Sequence, residues 1–214
     1  MTLVYAAGNL GSFGSFPPPQ NVTTPGDVPD LITVGATSCQ DDIASFSGRG
    51  PVTWEFVAPF FDHPFPPGLM KPNVVAPGSG TLSTSFNCSG YTFMSGTSMA
   101  TPHVAGAIAL MLEANPNLSP MEIRDILEAT AIDLGDAGYD NVYGAGRIDV
   151  VAAVEAAMAQ TDPADLDASG SVDFNDLLLL LAAWGPCGNP CPEDLSGNGS
   201  VDFADLLLVL AAWS

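Results

Sequence analysis

The sequence predicts an α/β domain with a largely parallel sheet, followed by a small helical module. Three observations predict it. Two short apolar runs, 3–7 and 31–36, are bounded by glycine and loop residues, the pattern of strands buried on both faces. A glycine turn at Gly96 feeds an apolar helical run that begins near Thr97 and continues to Leu112. Towards the C-terminus an acidic, glycine-containing loop occurs twice, each copy followed by a leucine-rich segment. Residues 1–160 are assigned to the first domain and 161–214 to the second.

The elements follow in order. Leu3-Val4-Tyr5-Ala6-Ala7 reads as a strand ending at Gly8, and the glycine-, proline- and asparagine-rich stretch to Pro29 as surface loop. Leu31–Ala36 is a second strand. Residues Val52 to Leu69, rich in proline and aromatics, form an irregular insertion before Lys71-Pro72-Asn73-Val74-Val75-Ala76-Pro77-Gly78. Gly96 permits a turn, Thr97 or Ser98 caps the helix that follows, and Pro102 is expected in its first turn. Ser119-Pro120-Met121-Glu122 carries a capping box, with Ile123, Ile126 and Leu127 on one helical face. A last helix runs from Val150 to Met158, and Thr161-Asp162-Pro163 ends the pattern.

Composition narrows the function. With 24 acidic residues against 4 basic, a net charge of −20, the surface repels phosphates and argues against nucleic acid and anionic membranes. The 47% hydrophobic content supports a sizeable core, and no apolar stretch is long enough to span a bilayer. Cys39, Cys88, Cys187 and Cys191 are an even set compatible with export and disulfides. Cys187 and Cys191 lie close enough in sequence to bridge or to bind metal. With no histidine near and no second pair, zinc is disfavoured.

In the tail, Asp165, Asp167, Ser169, Ser171, Asp173 and Asp176 return as Asp194, Ser196, Asn198, Ser200, Asp202 and Asp205. Oxygen-bearing side chains at loop positions one, three, five, nine and twelve, with glycine at six, are what a calcium loop needs. The stripes Phe174, Leu177, Leu178, Leu181, Trp184 and Phe203, Leu206, Leu207, Leu210, Trp213 are expected to pair as the module's own core. Like-charge repulsion in the loops makes the module calcium-dependent in this reading.

A serine at a helix N-terminus sits among backbone N–H groups without intrahelical partners, where an oxyanion is held. Gly96-Thr97-Ser98-Met99-Ala100-Thr101-Pro102-His103-Val104-Ala105-Gly106 resembles the nucleophile motif of the subtilisin-like serine proteases. Ala6-Ala7-Gly8-Asn9 resembles that family's oxyanion-hole strand end, and Lys71 to Gly78 the segment preceding its serine. The resemblance looks closest to the bacillopeptidase-like branch. It implies a three-layer α/β sandwich without its first strands, Met1 being an internal or truncated start. It also implies peptide-bond hydrolysis through an acyl-enzyme on Ser98 with Asn9 in the oxyanion hole. Ala6, Ala7 and Gly8 would line the substrate pocket, and protein or peptide would be the substrate. The family's catalytic Asp and His would precede residue 1, so the chain alone is expected to be close to inactive. The tail resembles a dockerin type I module of paired half-EF-hands, implying calcium and a protein or cell-surface partner. Its double-cysteine spacer and lack of basic residues depart from that pattern. A secreted or cell-surface location follows from both resemblances.

Neither histidine fits the role of base. His103 follows Ser98 by five helical positions, about 140° around the axis, and His63 lies in the proline-rich insertion. Two other classes fit the residues less well. A non-catalytic binding or adhesion protein on a degenerate protease scaffold would not be expected to keep both Asn9 and Ser98. An α/β-hydrolase esterase wants glycine two residues after the nucleophile, where Ala100 stands.

Overall fold

The computed structural model describes residues 1–11, 21–85, 90–159, 162–167, 169, 171–188 and 190–213. Cys88, and Gly170 at the turn of the first repeated loop, lie outside them. The described residues form two compact units. One comprises Met1–Leu110 and Ser119–Ala156; the other comprises Met111–Leu118 and Ala157–Ser214.

The first unit is built on three parallel strands: β1 (Val4–Ala6), β2 (Ile32–Thr37) and β3 (Val74–Pro77), in that spatial order. Val4 pairs with Ile32, and Val34 with Val74. Every residue of β2 is buried, as its unbroken run Ile-Thr-Val-Gly-Ala-Thr requires of a strand covered on both faces. A Cβ on Gly35 would stand 2.9 Å from Val75 Cγ1, so glycine is what lets β2 and β3 seat against their neighbours. The loop after β1 is less superficial than its composition suggests. Asn21 and Val22 are buried, and Val22 packs with Ala7 and Val52.

A two-stranded antiparallel hairpin, β4 (Thr81–Thr84) with β5 (Tyr91–Met94), leads into α1 (Thr97–Ala114). Gly78, just past β3, donates to the Thr37 carbonyl at 2.9 Å and accepts from Gly96 N–H at 2.8 Å. The start of α1 is thereby fixed at the carboxyl ends of β2 and β3, where open parallel sheets place their ligands. Because α1 begins at Thr97, Pro102 falls beyond the first turn. The expectation of a first-turn proline is corrected: Pro102 has no N–H to return to the Ser98 carbonyl four residues back.

Helix α2 (Pro120–Ala129) carries the expected capping box, Ser119 N–H donating to Glu122 Oε2 at 2.7 Å and Glu122 N–H to Ser119 Oγ at 3.3 Å. Its buried side chains are Ile123, Ile126 and Leu127. Helix α3 (Val150–Ala159) follows a turn in which Arg147 bridges Ile132 and Val75.

The second unit holds α4 (Phe174–Ala182) and α5 (Phe203–Ala211), with a short antiparallel ladder between β6 (Gly185–Pro186) and β7 (Ser200–Val201). Its core is Ala164, Val172, Leu180, Val201 and Val209, flanked by Leu166, Leu195 and Leu206. The expectation that the two apolar stripes form this core is therefore corrected for most of their members, though Leu206 packs against it. Phe174, Leu178, Leu181 and Trp184 are exposed, as are Phe203, Leu207, Leu210 and Trp213; Leu180 and Val209 point inward instead. Cys187 and Cys191 form a disulfide, which removes them as metal ligands, while Cys39 is free and exposed.

Candidate active site and acidic loops

β1 ends at the point where α1 begins. Ala7 is buried with both backbone groups engaged, its N–H donating to Val34 O at 2.9 Å and its carbonyl accepting from Thr23 at 3.0 Å. It is fully enclosed, packed against Val22 and Val52, and neither backbone group is free. Gly8 has φ +93°, and a Cβ there would collide with the Thr23 side chain, so the turn out of β1 requires glycine.

Asn9 then faces the start of α1. Its Oδ1 accepts from the Thr97 backbone N–H at 2.9 Å and from the Thr97 hydroxyl at 3.0 Å. Thr97 Oγ1 in turn accepts from Gly8 N–H at 3.1 Å. With Oδ1 committed twice, the Asn9 amide nitrogen is the end left to act as a donor. It lies beside Gly96, where a Cβ would stand 3.4 Å from it. Ser98, two residues after Gly96, is exposed, and no hydrogen bond reaches its hydroxyl among the described residues.

Ser98 opens into a cavity of about 320 Å³, lined by Thr81, Leu82 and Ser83 of β4 and by Met99, Pro102 and His103 of α1. His103 thus shares a cavity with Ser98, yet its Nδ1 sits 2.9 Å from the Met99 carbonyl, one helical turn back. His63 Nε2 is 3.6 Å from Asp62 Oδ2, within the insertion. No general base contacts Ser98 among the described residues.

Behind the site a buried polar network ties the segment before β3 to α2. Lys71, almost wholly enclosed, donates to Leu31 O at 2.8 Å and to Asn73 Oδ1 at 2.9 Å. Asn73 Nδ2 donates to Glu128 Oε1 at 2.7 Å, and Thr33 N–H donates to Asn73 Oδ1 at 2.8 Å. Burial lowers the Lys71 ammonium to about 8 despite the nearby Glu128 carboxylate, and burial raises Glu128 in turn. Sequence reading marked Lys71 and Asn73 as motif residues but gave no sign of Glu128, whose partner lies 55 positions away.

In the second unit the described residues of the acidic loops hydrogen-bond to one another. Carboxylate oxygens of Asp165, Asp167 and Asp176 lie within 4.8 Å of one another, a cluster able to hold a metal ion. Asp194 accepts from Asn198 N–H at 3.0 Å and Gly199 N–H at 2.7 Å, drawing the second loop around it. Asp173 and Asp202 act as helix N-caps, and Asp176 and Asp205 close the corresponding capping boxes. Both of the latter are buried. Burial alone would raise their carboxyls. Backbone N–H donors outweigh it, from Asp173 and Asp167 on one and Asp202 and Ser196 on the other, and hold both below the usual carboxylate range. Ser169 Oγ donates to the Ser171 carbonyl at 3.2 Å, and Ser196 Oγ to Asp194 at 3.3 Å. Ser200 N–H donates to Asn198 Oδ1 at 2.9 Å. The donor set is entirely hard oxygen, which suits calcium and not zinc.

A sequence profile of the subtilase family, Peptidase_S8, matches residues 1–146. Subtilisin DY of Bacillus licheniformis is 39% identical over 156 residues, 72% of this chain and 47% of that protein. Serine protease AprX of Bacillus subtilis (strain 168) is 36% identical over 163 residues, 67% of this chain and 33% of its own length. Subtilisin E of the same organism is 39% identical over 150 residues, 70% of this chain and 32% of that protein. The chain thus spans about half the length, or less, of the curated relatives it matches.

Proposed function

Since the chain belongs to the subtilase family, we propose that it is the nucleophile-bearing part of a serine endopeptidase. Ser98 Oγ attacks the peptide carbonyl carbon, forming an acyl-enzyme and releasing the amine; water then attacks the ester and frees the acid. The oxyanion is held by the Asn9 amide and the backbone N–H of Ser98. The observation that carries this reading is the double acceptance by Asn9 Oδ1 from Thr97, which leaves the amide nitrogen, beside Gly96, as the donor end near the start of α1. Ala6, Ala7 and Gly8 form one wall of the substrate pocket. The proton taken from Ser98 goes to a histidine oriented by an aspartate, both supplied from the part of the relatives' length that this chain does not match.

The acidic loops are read as calcium sites, with Asp165, Asp167, Ser169, Asp173 and Asp176 in the first and Asp194, Ser196, Asn198, Asp202 and Asp205 in the second. Ser171 and Ser200 contribute at position seven, where such loops use the backbone carbonyl. Bound calcium would neutralise the clustered carboxylates, while the chain's own capping boxes set the start of α4 and α5. The exposed Phe174, Leu178, Leu181 and Phe203, Leu207, Leu210 support a dockerin-like attachment role. Secretion or display at the cell surface fits the disulfide. No helix among the described residues is long and apolar enough to cross a membrane.

The test is covalent labelling of the polypeptide, isolated from its native host, with a fluorophosphonate. Peptide mass spectrometry is expected to place the adduct on Ser98, and Ser98→Ala to abolish it. An adduct on another residue, or none, would overturn the reading.

A further inference from the structure

The segment between Val52 and Leu69 is absent from the chemistry above, yet it exposes a cluster of large apolar side chains. Phe56 is 84% exposed, Phe61 65% and Phe60 63%, with Val57 and Phe65 also exposed. These side chains are held out by a defined scaffold. Trp54 packs edge-on against Phe60 with ring centroids 5.1 Å apart, and its indole N–H donates to the Asp27 carbonyl at 2.9 Å. Thr53 Oγ1 donates to His63 O at 2.8 Å, and Glu55 accepts from Phe65 N–H at 3.3 Å. Phe61 and His63 adopt φ of +47° and +50°, a conformation that bulky residues avoid unless their surroundings impose it. Pro59, Pro64, Pro66 and Pro67 stiffen the segment further.

The base of this excursion is continuous with the active-site strand. Val52 and Leu69 pack on Ala7 and Val22, and Ala7 leads directly into Gly8 and Asn9. Charge selects the occupant. Between Val52 and Met70 the only formal charges at neutral pH are Glu55 and Asp62, so the aromatic segment carries negative charge alone, with Asp62 exposed and Glu55 half-buried. Phosphate-bearing surfaces are repelled, and so is a second copy of a chain carrying a net charge of −20. An extended polypeptide with bulky apolar side chains and lysine or arginine fits both features.

We propose that the aromatic surface of residues 53–68 is a secondary docking site for the polypeptide substrate, engaging extended segments rich in bulky apolar and basic side chains. It rests on the peptidase reading, naming the substrate class that this site gathers. Rigid presentation lowers the ordering cost of binding, so exposed aromatics here yield affinity rather than mere contact.

The test uses the full 214-residue chain and a dye-labelled, acetylated and amidated peptide of alternating leucine and lysine, followed by fluorescence anisotropy. Saturable binding that weakens with salt is expected, with about a tenfold loss in Phe56→Ser/Phe61→Ser and for a leucine–glutamate peptide. Both phenylalanines are exposed, so near-ultraviolet circular dichroism and the thermal midpoint of the variant should match the parent. Equal binding by parent and variant overturns the proposal. So does a parent dimer that the variant abolishes, which would mark a self-association face. Peptide binding without fluorophosphonate labelling of Ser98 in the native-host polypeptide overturns the peptidase reading and leaves a polypeptide-binding surface. Labelling without peptide binding overturns the docking site alone.

Discussion

Asn9 Oδ1 accepts two hydrogen bonds from one residue, Thr97, through its backbone N–H at 2.9 Å and its hydroxyl at 3.0 Å. Asn9 and Thr97 are 88 positions apart, so the end of β1 and the start of α1 are joined by a side chain that also carries the candidate oxyanion donor. Thr97→Val removes the hydroxyl and keeps the backbone bond. In the native full-length polypeptide it should slow fluorophosphonate labelling of Ser98 roughly tenfold, while Asn9→Ala should approach the ~10²–10³ loss known for removing a subtilisin's oxyanion asparagine. Rates unchanged in both variants would place the oxyanion elsewhere.

Lys71 makes stability depend on alkaline pH. The folded state releases its proton near 8, the unfolded chain near 10.5. Between those values the unfolded state binds more protons, so stability rises with pH across the window, by on the order of 3 kcal/mol. Urea unfolding of the parent and of Lys71→Met at several pH values should show the difference between them growing in the parent's favour from pH 8 upward. A constant difference would mean that Lys71 keeps its ordinary affinity for the proton.

Chelation tests the acidic loops. Calcium added to the chelated chain should raise the thermal midpoint and the near-ultraviolet signal of Trp184 and Trp213, both in the second unit. Asp165→Asn, which removes one charge from the three-carboxylate cluster, should weaken calcium binding about tenfold by calorimetry. Identical melting curves with calcium and with chelator would count against these loops as ion sites.

Gly144→Ala should be severely destabilising. Gly144 has φ +66°, and a Cβ there would run into the carbonyl oxygens of Asn73 and Pro72. Strain and backbone collision together are expected to cost more than about 2 kcal/mol, read as a lowered urea midpoint.

What could be read from the sequence depended on how local the signal was. The cap at Ser119 was legible because capping chemistry demands particular residues within a few positions, whereas Ser98 and Asn9 stood out only through the family-like motifs that carry them. β2 was legible because its six consecutive buried positions are mostly small or branched apolar residues. The β4–β5 hairpin was not, since Tyr91, Phe93 and Met94 are exposed and show no alternation to signal a buried face. The tail stripes lie largely on the solvent side, and their phase was illegible for a related reason. Leu177 to Leu181 is leucine at every position, so a helical period exists but its phase does not, and only the packing of Leu180 against its core fixes it. The Lys71–Asn73–Glu128 network joins segments whose proximity is a property of the fold alone.

Val52 and Leu69 exchange a reciprocal pair of backbone hydrogen bonds, each 2.8 Å. Such a clasp insulates the β1 end from whatever chain runs out and back beyond it. Segments of other length and chemistry can be exchanged there while Ala7 keeps its seat, so this position is the natural graft point for re-targeting the protein, and a place where related proteins are free to diverge.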